Sequence, residues 1–447
     1  MSELPAGWAE TTLGAIGSVQ SGMGFPVAMQ GQTDGVYPVY KVGDVSRGVL
    51  LDRGILRRST NYVDAEAAAA LKGHIFPEGS ILFAKIGEAL RLNRRAIIFR
   101  EGLADNNVMG FKADQGIHDG FLYHFLRTQD LASLSRSTTI PSIRKSDVED
   151  ITIALPPLAE QKRIAQKLDA LLAQVDTLKA RIDAIPALLK RFRQAVRASA
   201  LKGDLISDSK EDFSAWNECT LSDLASVETG KTPDRSEANY WQAGSIPWVT
   251  SAATGLSFCK EAKEFVTPLA LRECSLKLFS PGTLLLAMYG EGKTRGQVTE
   301  LKIQAACNQA CAAISVNGEL ALQSFVKLRL EENYEAIRKM AVGGNQPNLN
   351  LGKVREIQFS LPSIATQTEI VRRVEQLFAY ADQLEAKVAT AKQRIDALTQ
   401  SLLAKAFRGE LVPQDPTDEP ASVLLERIRT QRAAAPKPKR GRKAATS

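Results

Sequence analysis

The segment AMYGEGKT, residues 287–294, spells out a loose phosphate-binding loop, with glycines ahead of Lys293 and Thr294 and an apolar LLL run before it. Such a loop cradles phosphate with glycine backbone N–H groups, but only where a helix begins directly after it. Here Arg295, Gly296, Gln297, Val298 and Thr299 follow, a poor helix start, and the counterpart loop AKIGEALRL lacks the Gly-Lys pair. Nucleotide binding is therefore not expected. The same loops suit DNA better. Glycine lets backbone approach a phosphate, and Lys85, Arg91, Arg94 and Arg95, with Lys293 and Arg295, can reach phosphates or guanine edges. A second group surrounds two prolines: Thr138, Thr139, Ser142, Arg144 and Lys145 on one side, Asn345, Gln346 and Asn348 on the other. Such amides and hydroxyls bond base edges. Lys231 and Thr232, after Gly230, form a third group mirrored by Gly22, Met23 and Gly24. Each group has a plainer reading as solvated loop cations or as polar side chains that satisfy their own turns.

Other chemistry finds less support. Cys219, Cys259, Cys274, Cys307 and Cys311 are odd in number and confined to one stretch, which favours reduced thiols. Cys307 and Cys311 are spaced loosely like metal ligands, yet His74, His118 and His124 all lie in the other half, so no metal is expected. No N-P-P-Y or D-P-P-Y tetrapeptide and no histidine–carboxylate cluster marks a methyltransferase or nuclease centre. The chain reads as non-catalytic and without a cofactor of its own. A fused methyltransferase or nuclease, and a coiled-coil scaffold that never touches DNA, are the alternatives.

The 447 residues are 44% hydrophobic and 24% charged, ordinary for a globular protein of two to four domains. No run of ~18 apolar residues predicts a membrane span, and the N-terminus lacks a signal-peptide layout, so a cytoplasmic location is expected. The net charge of +7 is carried by the end of the chain: eight basic and no acidic residues follow from Arg427, which leaves −1 for the remainder. Any DNA surface must then be a local patch. Residues 412–447 read as a basic, disordered tail.

What must position these loops is a chain written twice. Trp8, Glu10, Leu13, Ile16, Val19 and Gly22 recur as Trp216, Glu218, Leu221, Leu224, Val227 and Gly230. FPEGSILFAKIGE recurs as FSPGTLLLAMYGE, ITIALPPLAEQKRI as IQFSLPSIATQTEI, and LKGDL as FRGEL. The expected fold is α+β: two α/β domains, 1–155 and 216–361, related by pseudo-two-fold duplication. Long helices over 156–205 and 362–411 follow them, with a linker at 206–215. Apolar residues at spacings of four and three mark a coiled-coil seam: Ile164, Leu168, Leu171, Val175, Leu178 and Ile182 in one helix, and Ile370, Val374, Leu377, Leu384, Val388 and Ile395 in the other. Leu172, Leu188, Phe378, Tyr380 and Leu403 fall outside it. Pro186 should kink the first helix without ending it. Each helix, about 40 residues and ~60 Å long, needs a partner, and the short linker favours antiparallel pairing.

With its LPPLAEQKRI and LPSIATQTEI helix openings and LKGDL and FRGEL ends, the chain resembles the specificity subunit of type I restriction–modification systems over residues 1–411. The resemblance implies that each domain reads one half of a split double-stranded DNA site and that the coiled coil sets the spacer. It also implies two modification subunits using S-adenosylmethionine and two restriction subunits using ATP and Mg, with no membrane partner.

Overall fold

The computed structural model describes residues 4–137, 139–206, 216–290, 293–341 and 348–434. They divide into two compact units, residues 1–182 with 391–447, and residues 183–390. Each unit holds one head and stretches of both long helices.

In the first head the strands are β1 (Ala9–Thr12), β2 (Gly17–Ser21), β3 (Tyr37–Tyr40), β4 (Ile55–Leu56), β5 (Tyr62–Val63), β6 (Ile81–Ala84), β7 (Arg95–Ile98), β8 (Leu103–Ala104), β9 (Val108–Ala113) and β10 (Thr152–Leu155). The second head has β11 (Asn217–Thr220), β12 (Ala225–Thr229), β13 (Ile246–Val249), β14 (Phe258–Cys259), β15 (Glu264–Val266), β16 (Leu284–Ala287), β17 (Val298–Leu301), β18 (Ala306–Cys307), β19 (Cys311–Val316) and β20 (Gln358–Leu361). Five strands form a sheet in the order β2-β9-β6-β7-β4, and their counterparts run β12-β19-β16-β17-β14. All neighbours are antiparallel except β4 with β7 and β14 with β17. Smaller sheets β5-β3-β8 and β15-β13-β18 pack beside them. The pairs β1-β10 and β11-β20 bring the start of each head back to its end. The duplication therefore extends to strand order and strand sense, and the α+β class is observed.

β6 and β16 are buried at every position, which explains why their sequences are continuous apolar runs without alternation. Leu13, Ile16, Ile81, Phe83, Phe111 and Phe121 form the core of the first head, together with Ile164, Leu168 and Leu172 of one long helix and Leu403 of the other. Leu221, Leu224, Leu284, Leu286 and Ile314 do the same in the second head. Each such fully buried side chain stabilises by about 1.5–3 kcal/mol.

The long helices run Leu158–Leu201 and Ile364–Phe407. A buried glutamine locks each to its head. Gln161 Nε2 donates to the Pro156 carbonyl at 2.9 Å while its Oε1 accepts from His118 N at 3.0 Å. Gln367 repeats this with the Pro362 carbonyl at 2.9 Å and Leu322 N at 2.7 Å. The recurring glutamine of the two helix openings thus satisfies backbone groups that the prolines and the head leave open.

The helices pair antiparallel. In the second unit Arg193 binds Asp382 and Glu385 at 2.5 and 2.9 Å, and Arg197, further along, lies over Phe378, further back. In the first unit Lys179 meets Asp396 at 2.9 Å, and Leu172 packs in one cluster with Leu403. Ile164, Leu168, Val175, Ile370, Val374 and Ile395 are buried, while Leu171, Ile182, Leu377, Leu384 and Val388 are half-buried. One expectation needs correction: Leu178, placed on the seam by spacing, is 47% exposed. Leu172 and Leu403, placed off it, are 6% and 2% exposed because they pack into the core of the first head. Near the head a second helix face is covered, so the buried stripe there is wider than a heptad seam. Leu188 and Tyr380 are exposed, and the helix passes through Pro186 unbroken.

The segment from 412, expected to be disordered, contains a helix, Ala421–Ala434. Leu424, Leu425 and Ile428 are buried in the core of the first head, and Ala421 N donates to the Gly7 carbonyl at 2.9 Å. Arg163 pairs with Asp418 at 2.6 Å, and Arg432 pairs with Asp114 while bonding the Gly14 and Gly17 carbonyls. Averaged composition concealed a short apolar stripe at helical spacing. Lys437, Lys439, Arg440, Arg442 and Lys443 lie outside the described residues. No described helix is long and apolar enough to cross a membrane.

Candidate nucleic-acid interface

The three groups of polar loops converge at one end of each five-stranded sheet, where β2 and β6 finish and β7 and β9 begin. In the first head, Gly22 N donates to the Val108 carbonyl, Met23 N to the Ala104 carbonyl and Lys85 N to the Asn107 carbonyl, all at 2.8–2.9 Å. Ile86 bridges Ser142, Gly87 N donates to the Pro141 carbonyl at 2.8 Å, and Ile143 N donates to the Lys85 carbonyl at 3.1 Å. Gly87, at φ +80°, makes the turn that sends this loop away from the sheet. Glycine is also required where Gly230 passes β18: a Cβ there would lie 1.7 Å from the Cys307 carbonyl oxygen.

This edge is polar and cationic. Arg91, Thr139, Ser142 and Arg144 are exposed, and Lys85, Arg94 and Lys145 are half-buried. Lys145 Nζ donates to Gln20 Oε1 at 3.2 Å, which adds Gln20 to the surface. Nearby His74 is held below the usual histidine pKa by burial and by the charge of Lys145. Beneath the surface, burial raises the Asp105 carboxyl. Thr138 lies outside the described residues.

Arg95 does not belong to the surface. It is 3% exposed, and its guanidinium donates to the Asn93 carbonyl and Asn93 Oδ1 at 2.5 and 2.7 Å and to the Gln129 carbonyl. Burial lowers its pKa to about 10, so at neutral pH it is a charged structural strut with both terminal nitrogens, Nη1 and Nη2, committed to protein acceptors. The expected DNA contact at Arg95 is withdrawn for this reason.

The second head presents the same edge with different side chains. Leu349 N donates to the Met288 carbonyl at 3.1 Å, and Met288 N to the Ala310 carbonyl at 2.8 Å. Thr232 Oγ1 donates to Gln309 Oε1 at 2.5 Å, and Lys231 Nζ to the Cys274 carbonyl at 3.4 Å. Lys231, Thr232, Lys293 and Asn348 are exposed, Arg295 is half-buried, and Tyr334 donates its hydroxyl proton to the Lys293 carbonyl at 2.6 Å. Asn345 and Gln346 lie outside the described residues. After AMYGEGKT the chain enters strand β17, with no helix to aim N–H groups at a phosphate. Among the described residues no group of histidines, cysteines and carboxylates could hold a metal. Both Cys307 and Cys311 are free thiols, and a side-chain hydrogen bond with Cys307, together with burial, pushes the Cys311 thiol well above its ordinary pKa.

The sequence pattern of the type I restriction modification DNA specificity domain matches residues 5–187 and again 214–391, one match for each copy of the duplication. The chain belongs to this family. It is 28% identical to the StySPI specificity subunit of Salmonella potsdam over 99% of both chains. It is 34% identical to the EcoDI specificity subunit of Escherichia coli over 72% of this chain and 79% of that one. The fold resembles that of the HsdS subunit from Thermoanaerobacter tengcongensis, with TM-score 0.63 and 20% identity over 92% of this chain and 98% of that one. A chain from a type I R-M system structure aligns with TM-score 0.70 and 18% identity, over 92% of this chain and all of that one. Family membership makes this chain a DNA-specificity subunit of a type I restriction–modification system, a recognition role exercised with modification and restriction partners.

Proposed function

We propose that each head reads one half of a split DNA sequence through the loop edge described above, and that the paired helices set the unspecified spacer. Lys85, Arg91, Arg94, Arg144 and Lys145 in the first head, with Lys231, Lys293 and Arg295 in the second, contact phosphates or guanine edges. Thr139, Ser142, Thr232 and Asn348 bond base edges. The observation that carries this reading is the convergence of three separate loops onto equivalent edges of two duplicated heads. On this reading the chain recognises and its partners react. Two modification subunits bring S-adenosylmethionine and two restriction subunits bring ATP and Mg, all in the cytoplasm. Footprinting of the reconstituted complex on a duplex carrying its site tests the proposal. Two protected blocks separated by an indifferent spacer are expected. One contiguous block, or protection at no site, contradicts it.

A further inference from the structure

Between β8 and β9 the first head turns in residues 105–107, and between β18 and β19 the second turns in residues 308–310. Both turns lie amid the loops of the proposed edge, bonded to the 85 loop through Asn107 and to the 288 loop through Ala310. In both, the first residue spends its side chain on the turn itself. Asp105 Oδ1 accepts from Asn107 N at 3.1 Å, and Asn308 Oδ1 accepts from Ala310 N at 3.2 Å. The middle residue is left exposed, and in both heads it is a carboxamide: Asn106 and Gln309. The Asn106 amide makes no hydrogen bond among the described residues. Gln309 Oε1 accepts from Thr232, which fixes the orientation of its amide.

We propose that Asn106 and Gln309 read bases, each recognising an adenine in its own half-site. The inference rests on the reading that each head contacts DNA. A carboxamide presents a donor and an acceptor side by side, which matches adenine N7 and N6 in the major groove; a lysine amine cannot make that pair. The amide is kept at this position while its neighbours differ, Lys85 in one head standing where Met288 stands in the other, and Ser142 where Asn348 stands. Sequence spacing does not single these residues out, because the turn that exposes them is closed by Asp105 and Asn308 only in the folded head.

The test is selection from a randomised duplex library by the complete complex. Asn106→Ala is expected to reduce adenine preference at one base pair of one half-site on the order of tenfold, leaving the other half unchanged. Gln309→Ala does the same in the other half. Asn106→Asp is expected to move that preference toward cytosine, whose amino group a carboxylate accepts, a change that misfolding cannot produce. Unchanged profiles, or affinity lowered evenly at every position, overturn the inference. An unsubstituted complex that selects no split site overturns the underlying reading instead.

Discussion

Lys85 and Arg95 look alike in the sequence, two cations flanking one loop, yet they do different physical work. Removing the Arg95 side chain takes the guanidinium donor from the half-buried Asn93 carbonyl, while the Gln129 carbonyl keeps Asn93 Nδ2 at 3.0 Å and Asn93 Oδ1 keeps Leu131 N at 3.2 Å. Arg95→Ala is therefore expected to cost the first unit about 1–3 kcal/mol, read by urea unfolding, and Arg95→Lys recovers little because the forked geometry is lost. Lys85→Ala is expected to leave unfolding unchanged, weaken DNA binding at all sequences, and reduce the salt slope of log K by about 1. Strand alternation says that one of Arg94 and Arg95 turns inward, but not which, so residue types at the site were legible while their directions were not. Glu160 gives a pH prediction at the same scale. It is buried, accepts from Trp8 Nε1 at 3.0 Å, and burial raises its pKa. An acid raised on folding stabilises below its unfolded pKa, and that stability is lost as pH rises through the folded value. The melting temperature of the first unit should fall over that rise, and Glu160→Gln should flatten this part of the curve.

At the scale of elements, the long helices were legible because prolines, periodicity and terminal glycines agreed, and β6 and β16 because their apolar runs are bounded by turn residues. The extent of the buried helix stripe was not, since it depends on where a head covers a second face. The glutamines that fasten the helices were visible only as repeated letters. Gln161→Ala and Gln367→Ala should each cost about 1–3 kcal/mol, because buried backbone partners are left unpaired, with each loss confined to its own unit in hydrogen exchange. The C-terminal helix was missed because a basic composition outweighed three apolar residues. Leu424→Ala or Ile428→Ala should destabilise the first unit by about 2–4 kcal/mol, measured by thermal unfolding. An unchanged melting temperature would show that this helix is not part of the core.

For the whole molecule, duplication is the governing fact. Two heads share strand order and loop bonding while their exposed side chains diverge, so one architecture carries two different surfaces. The net charge of +7 says little about either, because the cations past Arg427 account for it. If each head reads alone, its surface should be transferable. The most direct test replaces residues 216–361 with the corresponding stretch of another family member and determines the sequence selected by the assembled complex. The account predicts that one half of the site changes while the other half and the spacer length stay the same. A change in both halves, or in neither, would contradict it.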